Sequence, residues 1–161
     1  MSIRRSAASA LLASALGTVP LAAQGQGVVI EWGVHGTVTV ASDTLGLVLG
    51  PRAAFRSVGG TRLALSLGAG IRGDRSTGRG TVALEYVLTP RATKRTGVYI
   101  GGGLVGVVGG GKGGYLMAYA GLERSPGLPS GWAVEAGLGG GFRIRAAYHW
   151  RRFPRGVLPG S

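Results

Sequence analysis

From Val28 onward apolar and polar side chains alternate residue by residue, the period of a strand with two unlike faces and not of a helix. In the first window Val28, Ile30, Trp32, Val34, Val38 and Val40 share one parity, opposite Glu31, His35, Thr37 and Thr39. The second sets Leu45, Leu47, Leu49, Ala53 and Phe55 against Gly46, Gly50, Arg52 and Arg56, with Pro51 expected to mark a bulge or bend. Gly59 and Gly60 then predict a tight hairpin turn. The third window is the most regular: Leu63, Leu65, Leu67, Ala69 and Ile71 oppose Arg62, Ala64, Ser66, Gly68, Gly70 and Arg72. A loop is expected from Gly73 to Arg79, followed by a strand in which Val82, Leu84, Tyr86 and Leu88 oppose Thr81, Ala83 and Glu85.

Pro90 and the basic stretch Arg91 to Arg95 close that strand. The fifth window, Val98 to Val108, is so rich in Gly that its parity is not fixed by the pattern; Val98, Ile100, Leu104 and Val108 are the candidates for its apolar face. Gly109 to Gly114 reads as a hairpin connection with Lys112 at its tip. The sixth window places Leu116, Ala118, Ala120 and Leu122 opposite Tyr115, Met117, Tyr119, Gly121 and Glu123, before Pro126, Pro129 and Gly131 interrupt. The seventh sets Trp132, Val134, Ala136 and Leu138 against Ala133, Glu135, Gly137 and Gly139, and the eighth sets Phe142, Ile144, Ala146, Tyr148 and Trp150 against Arg143, Arg145, Ala147, His149 and Arg151. The pattern thus predicts an all-β fold of eight strands over residues 24–153, a closed antiparallel up-and-down barrel, with 154–161 as a short tail.

The segment ahead of the strands has a different character. Arg4 and Arg5 precede an apolar run from Ala7 to Leu16, followed by Gly17, Pro20, Ala22 and Ala23: a charged region, a short apolar region and a small-residue cleavage region. The run is shorter than the roughly 20 residues of a membrane helix. Residues 1–23 are therefore expected to be a signal peptide for Sec-type export, cleaved within two residues of Ala23.

Alternation alone does not say which face is inside. The polar parity mixes Gly and Ala with isolated Arg and Glu, as a narrow lumen requires, whereas a water-facing exterior would carry charges densely; the other parity carries the large aliphatic groups that hydrocarbon favours. The expected lumen charge network comprises Glu31, His35, Arg52, Arg56, Arg62, Arg72, Glu85, Glu123, Glu135, Arg143, Arg145 and His149, joined by Arg151. Trp32, Phe55, Tyr86, Trp132, Tyr148 and Trp150 fall toward one end of their strands, which predicts an aromatic girdle at one membrane interface. A barrel is the acceptable strand structure in lipid because closure leaves no unpaired edge.

In this arrangement the chain resembles the small outer-membrane β-barrel proteins, such as the OmpX-like family and the transmembrane domain of OmpA-like proteins. The resemblance covers Val28 to Phe153 and is architectural. It implies a bacterial outer-membrane location, insertion by the barrel-assembly machinery, contact with outer-membrane lipids, and membrane-anchoring, adhesion or envelope-integrity roles. Two features depart from it: the tail Arg151 to Ser161 continues past the aromatic Trp150, and the expected outer loops are short.

Composition trims the alternatives. A net charge of +12 raises nucleic acid as a partner, but the Arg residues stand singly within alternating stretches instead of grouping beside stacking aromatics, so no nucleic-acid role is expected. With no Cys there is no disulfide, thiolate metal site or lipid-modified Cys anchor. Gly106 to Lys112 imitates a phosphate-binding loop, but Gly113 stands where Ser or Thr is needed for Mg²⁺. The two histidines, His35 and His149, share the polar parity on strands that closure makes neighbours, and no motif joins them to Ser66 or a Glu as a catalytic set. Neither a catalytic residue, a metal ligand nor a cofactor is expected; the basic segments Arg91 to Arg95 and Arg151 to Arg155 could touch anionic headgroups. The reading is a non-enzymatic structural or envelope-interaction barrel, with a lipid-modifying enzyme or a narrow channel as alternatives.

Overall fold

The computed structural model describes residues 27–42, 44–110 and 113–154. Eight strands follow one another: β1 Val28–Ala41, β2 Thr44–Ser57, β3 Thr61–Arg72, β4 Arg75–Val87, β5 Thr96–Gly109, β6 Gly113–Arg124, β7 Ser130–Leu138 and β8 Phe142–Arg152. Each pairs antiparallel with the next, and β1 pairs with β8 from Ile30–Arg152 to Val40–Phe142, which closes the barrel. Both backbone edges of every strand are thereby occupied, the condition that an isolated sheet cannot meet. The expected signal peptide, Lys112 and the tail from Arg155 lie outside the described residues.

Burial alternates with the sequence parity. In β3, for example, Arg62, Ala64 and Ser66 are buried while Leu63, Leu65 and Leu67 are exposed on the outer wall. The same alternation runs through β8, where Arg143, Arg145, Ala147, His149 and Arg151 point inward and Phe142, Ile144, Ala146, Tyr148 and Trp150 point out. The interior is therefore the polar parity and the exterior the apolar one. The Gly-rich strand obeys the rule as well: Val98, Ile100, Leu104 and Val108 are exposed, and Tyr99 and Val105 fill the inside.

Two expectations need correction. Gly73 to Arg79 is not a loop; β4 begins at Arg75, and Arg72 pairs with Arg75 across a two-residue turn of Gly73 and Asp74. The polar run that suggested a loop forms rungs with β3 up to the turn, with Thr77 turned inward and buried. Pro51 makes no bulge either: the β1–β2 register runs unbroken through Val34–Pro51, and the β2–β3 register keeps the same offset on both sides of it. What Pro51 removes is one ladder donor, so the β2–β3 pairing skips from Leu49–Ala69 to Arg52–Ser66 without a shift.

The connections are unequal at the two ends. At the end away from the chain termini the hairpins are minimal, as at Gly73–Asp74 and Gly139–Gly141. At the termini end the β4–β5 and β6–β7 connections are longer, and they dock on each other through Ser125 N–H to Arg95 O (3.2 Å) and Gly127 N–H to Ala92 O (2.9 Å). The β2–β3 turn is tight there because Gly60 takes a left-handed φ of 99° and donates to Ser57 O at 3.1 Å.

Candidate functional site

The inner face of the barrel is a buried ionic and aromatic cluster. Arg62, on β3, stands at its centre: Nη1 donates to Glu31 Oε2 on β1 (3.1 Å) and to Glu123 Oε2 on β6 (2.8 Å), while Nε donates to Glu85 on β4. Glu85 also accepts from Arg52 Nη2 and from the Tyr119 hydroxyl, each at 2.5 Å. Arg56 Nε lies 3.0 Å from Glu31, and Arg151 pairs with Glu123. A second group forms around Glu135 on β7, which receives Arg143 Nη2 and Arg145 Nε at 2.9 Å each and the Tyr99 hydroxyl at 3.1 Å.

Charges of this kind stand so far from water only because they are paired; removing one partner leaves the others desolvated and unmatched. The strands enforce the pairing through register. Arg62 faces Glu85 directly across the β3–β4 ladder, and Glu135 faces Arg145 across β7–β8. Two tyrosines complete the filling. Arg62 stacks its guanidinium 4.9 Å from the Tyr99 ring centre, Arg143 stacks 4.6 Å from that of Tyr119, and the two rings meet edge to face at 6.3 Å. Val87, Val105, Met117 and Ala133 pack around them as a small apolar patch.

Glycine makes this packing possible. A Cβ on Gly121 would lie 2.3 Å from Tyr99 Cζ, and one on Gly101 would lie 2.7 Å from Tyr119 Cζ, so each ring occupies the space that a neighbouring residue leaves empty. A Gly121→Val protein is expected to lose roughly 1–3 kcal/mol or more of stability through overpacking. Gly106→Ala, where an added Cβ meets nothing within 4 Å, should change stability little. Urea unfolding of the two variants side by side measures the contrast.

Eleven of the twelve expected network positions are buried on the inner wall: Glu31, His35, Arg52, Arg56, Arg62, Glu85, Glu123, Glu135, Arg143, Arg145 and His149. Arg72 has the right parity but stands half-buried at the far mouth, outside the ion-paired set formed among the described residues. His35 and His149 lie on adjacent strands, His149 opposite Gly33, and neither bonds Ser66, whose hydroxyl pairs with that of Thr81. Among the described residues there is no group of three or more potential metal-ligating side chains.

Sequence reading gave Tyr99, Tyr119 and Arg79 no role. The signal was present for Tyr119, a large ring on the polar parity between Met117 and Glu123; an aromatic there must fill the lumen, since it cannot face out with the aliphatic set. Arg79 was hidden by the loop assignment. It turns inward and donates to Thr39 Oγ1 at 3.0 Å. The six expected interfacial aromatics all point outward, 41–48% exposed, toward the termini end. Trp32 and Trp150 face each other across β1–β8, Trp132 and Tyr148 across β7–β8, and Tyr148 meets Trp150 edge to face at 5.1 Å.

No family model matches the chain, and no curated protein matches it. Among solved structures it is similar to one described as "De novo design of transmembrane beta-barrels", with 16% identity over 79% of this chain and 97% of that one and a TM-score of 0.49.

Proposed function

We propose that the chain is a bacterial outer-membrane protein that spans the bilayer as a plugged barrel and serves a structural or envelope-interaction role. The observation that carries the reading is the inversion of the wall. Leu45, Leu49, Leu67, Leu84, Leu116 and Leu138 are each more than 60% exposed or close to it, while Arg56, Arg62, Arg143, Glu31 and Glu123 are almost wholly buried. A water-soluble barrel would expose far more apolar surface than the few hundred Å² at which patches ordinarily remain solvent-facing. Hydrocarbon is the solvent in which this surface is stable, and the one-ended set of outward Trp and Tyr suits an interface between lipid and water.

The filled lumen argues against the channel alternative. Arg62, Glu85, Glu123, Tyr99 and Tyr119 are buried against one another from β3, β4, β5 and β6, and an eight-stranded barrel is only wide enough for its own side chains. Export through a signal peptide, insertion by the assembly machinery and contact with outer-membrane lipids belong to the same proposal.

The test is to express the full chain in a Gram-negative host and separate its membranes. The protein is expected in the outer-membrane fraction, with a band on unheated gels that shifts on boiling and no unitary conductance in planar bilayers. Recovery as a soluble protein with no heat-dependent shift would overturn the membrane reading; steady conductance steps would overturn the plug.

A further inference from the structure

The lumen is not electrically balanced: toward the termini Arg52, Arg56, Arg62 and Arg151 face Glu31, Glu85 and Glu123, and the cation surplus is larger at the other end. In the half toward the minimal hairpins, Arg72, Arg79, Arg143 and Arg145 face inward, and Glu135 is the single inward carboxylate among the described residues. Asp74, on the β3–β4 turn, is exposed and lies 3.9 Å from Arg75, so it does not enter the lumen. Nε and Nη2 of Arg79, and Nε and Nη1 of the fully buried Arg143, are enclosed and unbonded among the described residues, as are nitrogens of Arg52, Arg56, Arg62 and Arg151 in the other half.

Two of these side chains, Arg72 and Arg79, border a cavity. A space of about 30 Å³ at that mouth is lined by Thr39, Arg72, Thr77, Arg79 and Tyr115 together with Val48, Val107 and glycines. Arg143 stands directly across the β1–β8 ladder from Thr39. The volume exceeds the ~10–15 Å³ that one water needs. Two guanidinium groups and three hydroxyls beside so small a space match a compact anion, whose charge would offset part of the cation surplus.

We propose that this mouth is a binding site for a small inorganic oxyanion of the phosphate or sulfate class, with Arg79 as its principal ligand and Arg72 and Thr39 beside it. The cavity lies on the inward face of the strands, whereas lipid headgroups would lie against the outward one. That placement favours a free ion over a lipid phosphate. The site does not depend on the membrane role proposed above, since it is built from the lumen wall alone.

The test uses the refolded full chain in neutral detergent micelles, with sodium phosphate replacing sodium chloride at constant ionic strength. A ligand that binds only the folded barrel raises its unfolding temperature. The folded, fast-migrating gel band is expected to survive to a temperature several degrees higher in phosphate, and calorimetry should detect saturable phosphate binding. Phosphate also stabilises proteins generally by exclusion from their surfaces, so the decisive comparison is with Arg79→Gln and, separately, Arg72→Gln. Arg79→Gln should retain only the general effect and lose the saturable heat; Arg72→Gln should weaken the phosphate affinity several-fold. An equal phosphate shift in wild type and Arg79→Gln, or no saturable heat in wild type, would overturn the site. So would a shift produced by micelles doped with phosphatidic acid but not by free phosphate, which would assign the oxyanion to lipid. If Arg79→Gln fails to refold, the wild-type calorimetry and the Arg72→Gln titration still decide.

Discussion

An Arg62→Ala barrel is expected to refold poorly or not at all, and to show the largest stability loss of any single lumen substitution. Arg62 supplies ion pairs to Glu31, Glu85 and Glu123, all of them enclosed. Truncating it leaves a hole among three buried carboxylates of like sign, each left with fewer Arg partners: Glu31 with Arg56 and, farther off, Arg151, Glu85 with Arg52, and Glu123 with Arg151. Breaking a buried pair costs about 3–5 kcal/mol, a large part of the roughly 5–15 kcal/mol by which folded proteins are usually stable. Urea titration in micelles, read by the gel-mobility shift, would measure it. A loss below about 1 kcal/mol, the scale of an exposed ion pair, would mean that the cluster is solvated and not a structural plug. Lys at the same position keeps a charge but cannot reach three carboxylates with a forked planar group, so Arg62→Lys should fall between wild type and Ala.

The second large effect is on the outer wall. Leu65, 39% exposed in the middle of β3 and flanked by Ala53 and Val82, should meet hydrocarbon near mid-bilayer. Leu65→Arg is expected to destabilise the barrel in phospholipid vesicles by about 2–4 kcal/mol, with a smaller penalty for an Arg placed near either end of the wall. On a water-facing strand the same change would fall within about 0.5 kcal/mol of neutral. Equilibrium unfolding from vesicles therefore separates the two surroundings directly, and a neutral Leu65→Arg would sink the membrane reading.

The sequence made the strand faces legible because a period of two is written residue by residue. Leu63, Leu65 and Leu67 against Arg62, Ala64 and Ser66 admit a single assignment once one face is known to be apolar, and a slip of one residue would invert all of them. Strand ends were harder to place. Arg75 to Gly80 contains the residues of a loop, and only pairing with β3 shows that it is strand. Nor does Pro51 carry a mark that separates a bulge from a skipped hydrogen bond; that distinction lies in the partners on both sides. The lumen's members could be named, but not its connections. That Arg62 reaches Glu123, 61 positions along the chain, depends on how strands around the circumference face one another. The Tyr99–Gly121 and Tyr119–Gly101 complementarity is equally invisible from either residue alone.

The wall is not uniform around its circumference. β7 has 9 residues where β1 has 14, and the β6–β7 ladder runs only from Ala118–Leu138 to Glu123–Ala133. With so few rungs, this seam is where the ribbon would part first under load. The Tyr99 hydroxyl on β5 passes over that seam to Glu135 on β7, and Glu123 beside it is held by Arg62 from β3 and Arg151 from β8. Side chains thus act as rivets where backbone stitching is sparse, which gives the ionic filling a mechanical duty in addition to an electrical one.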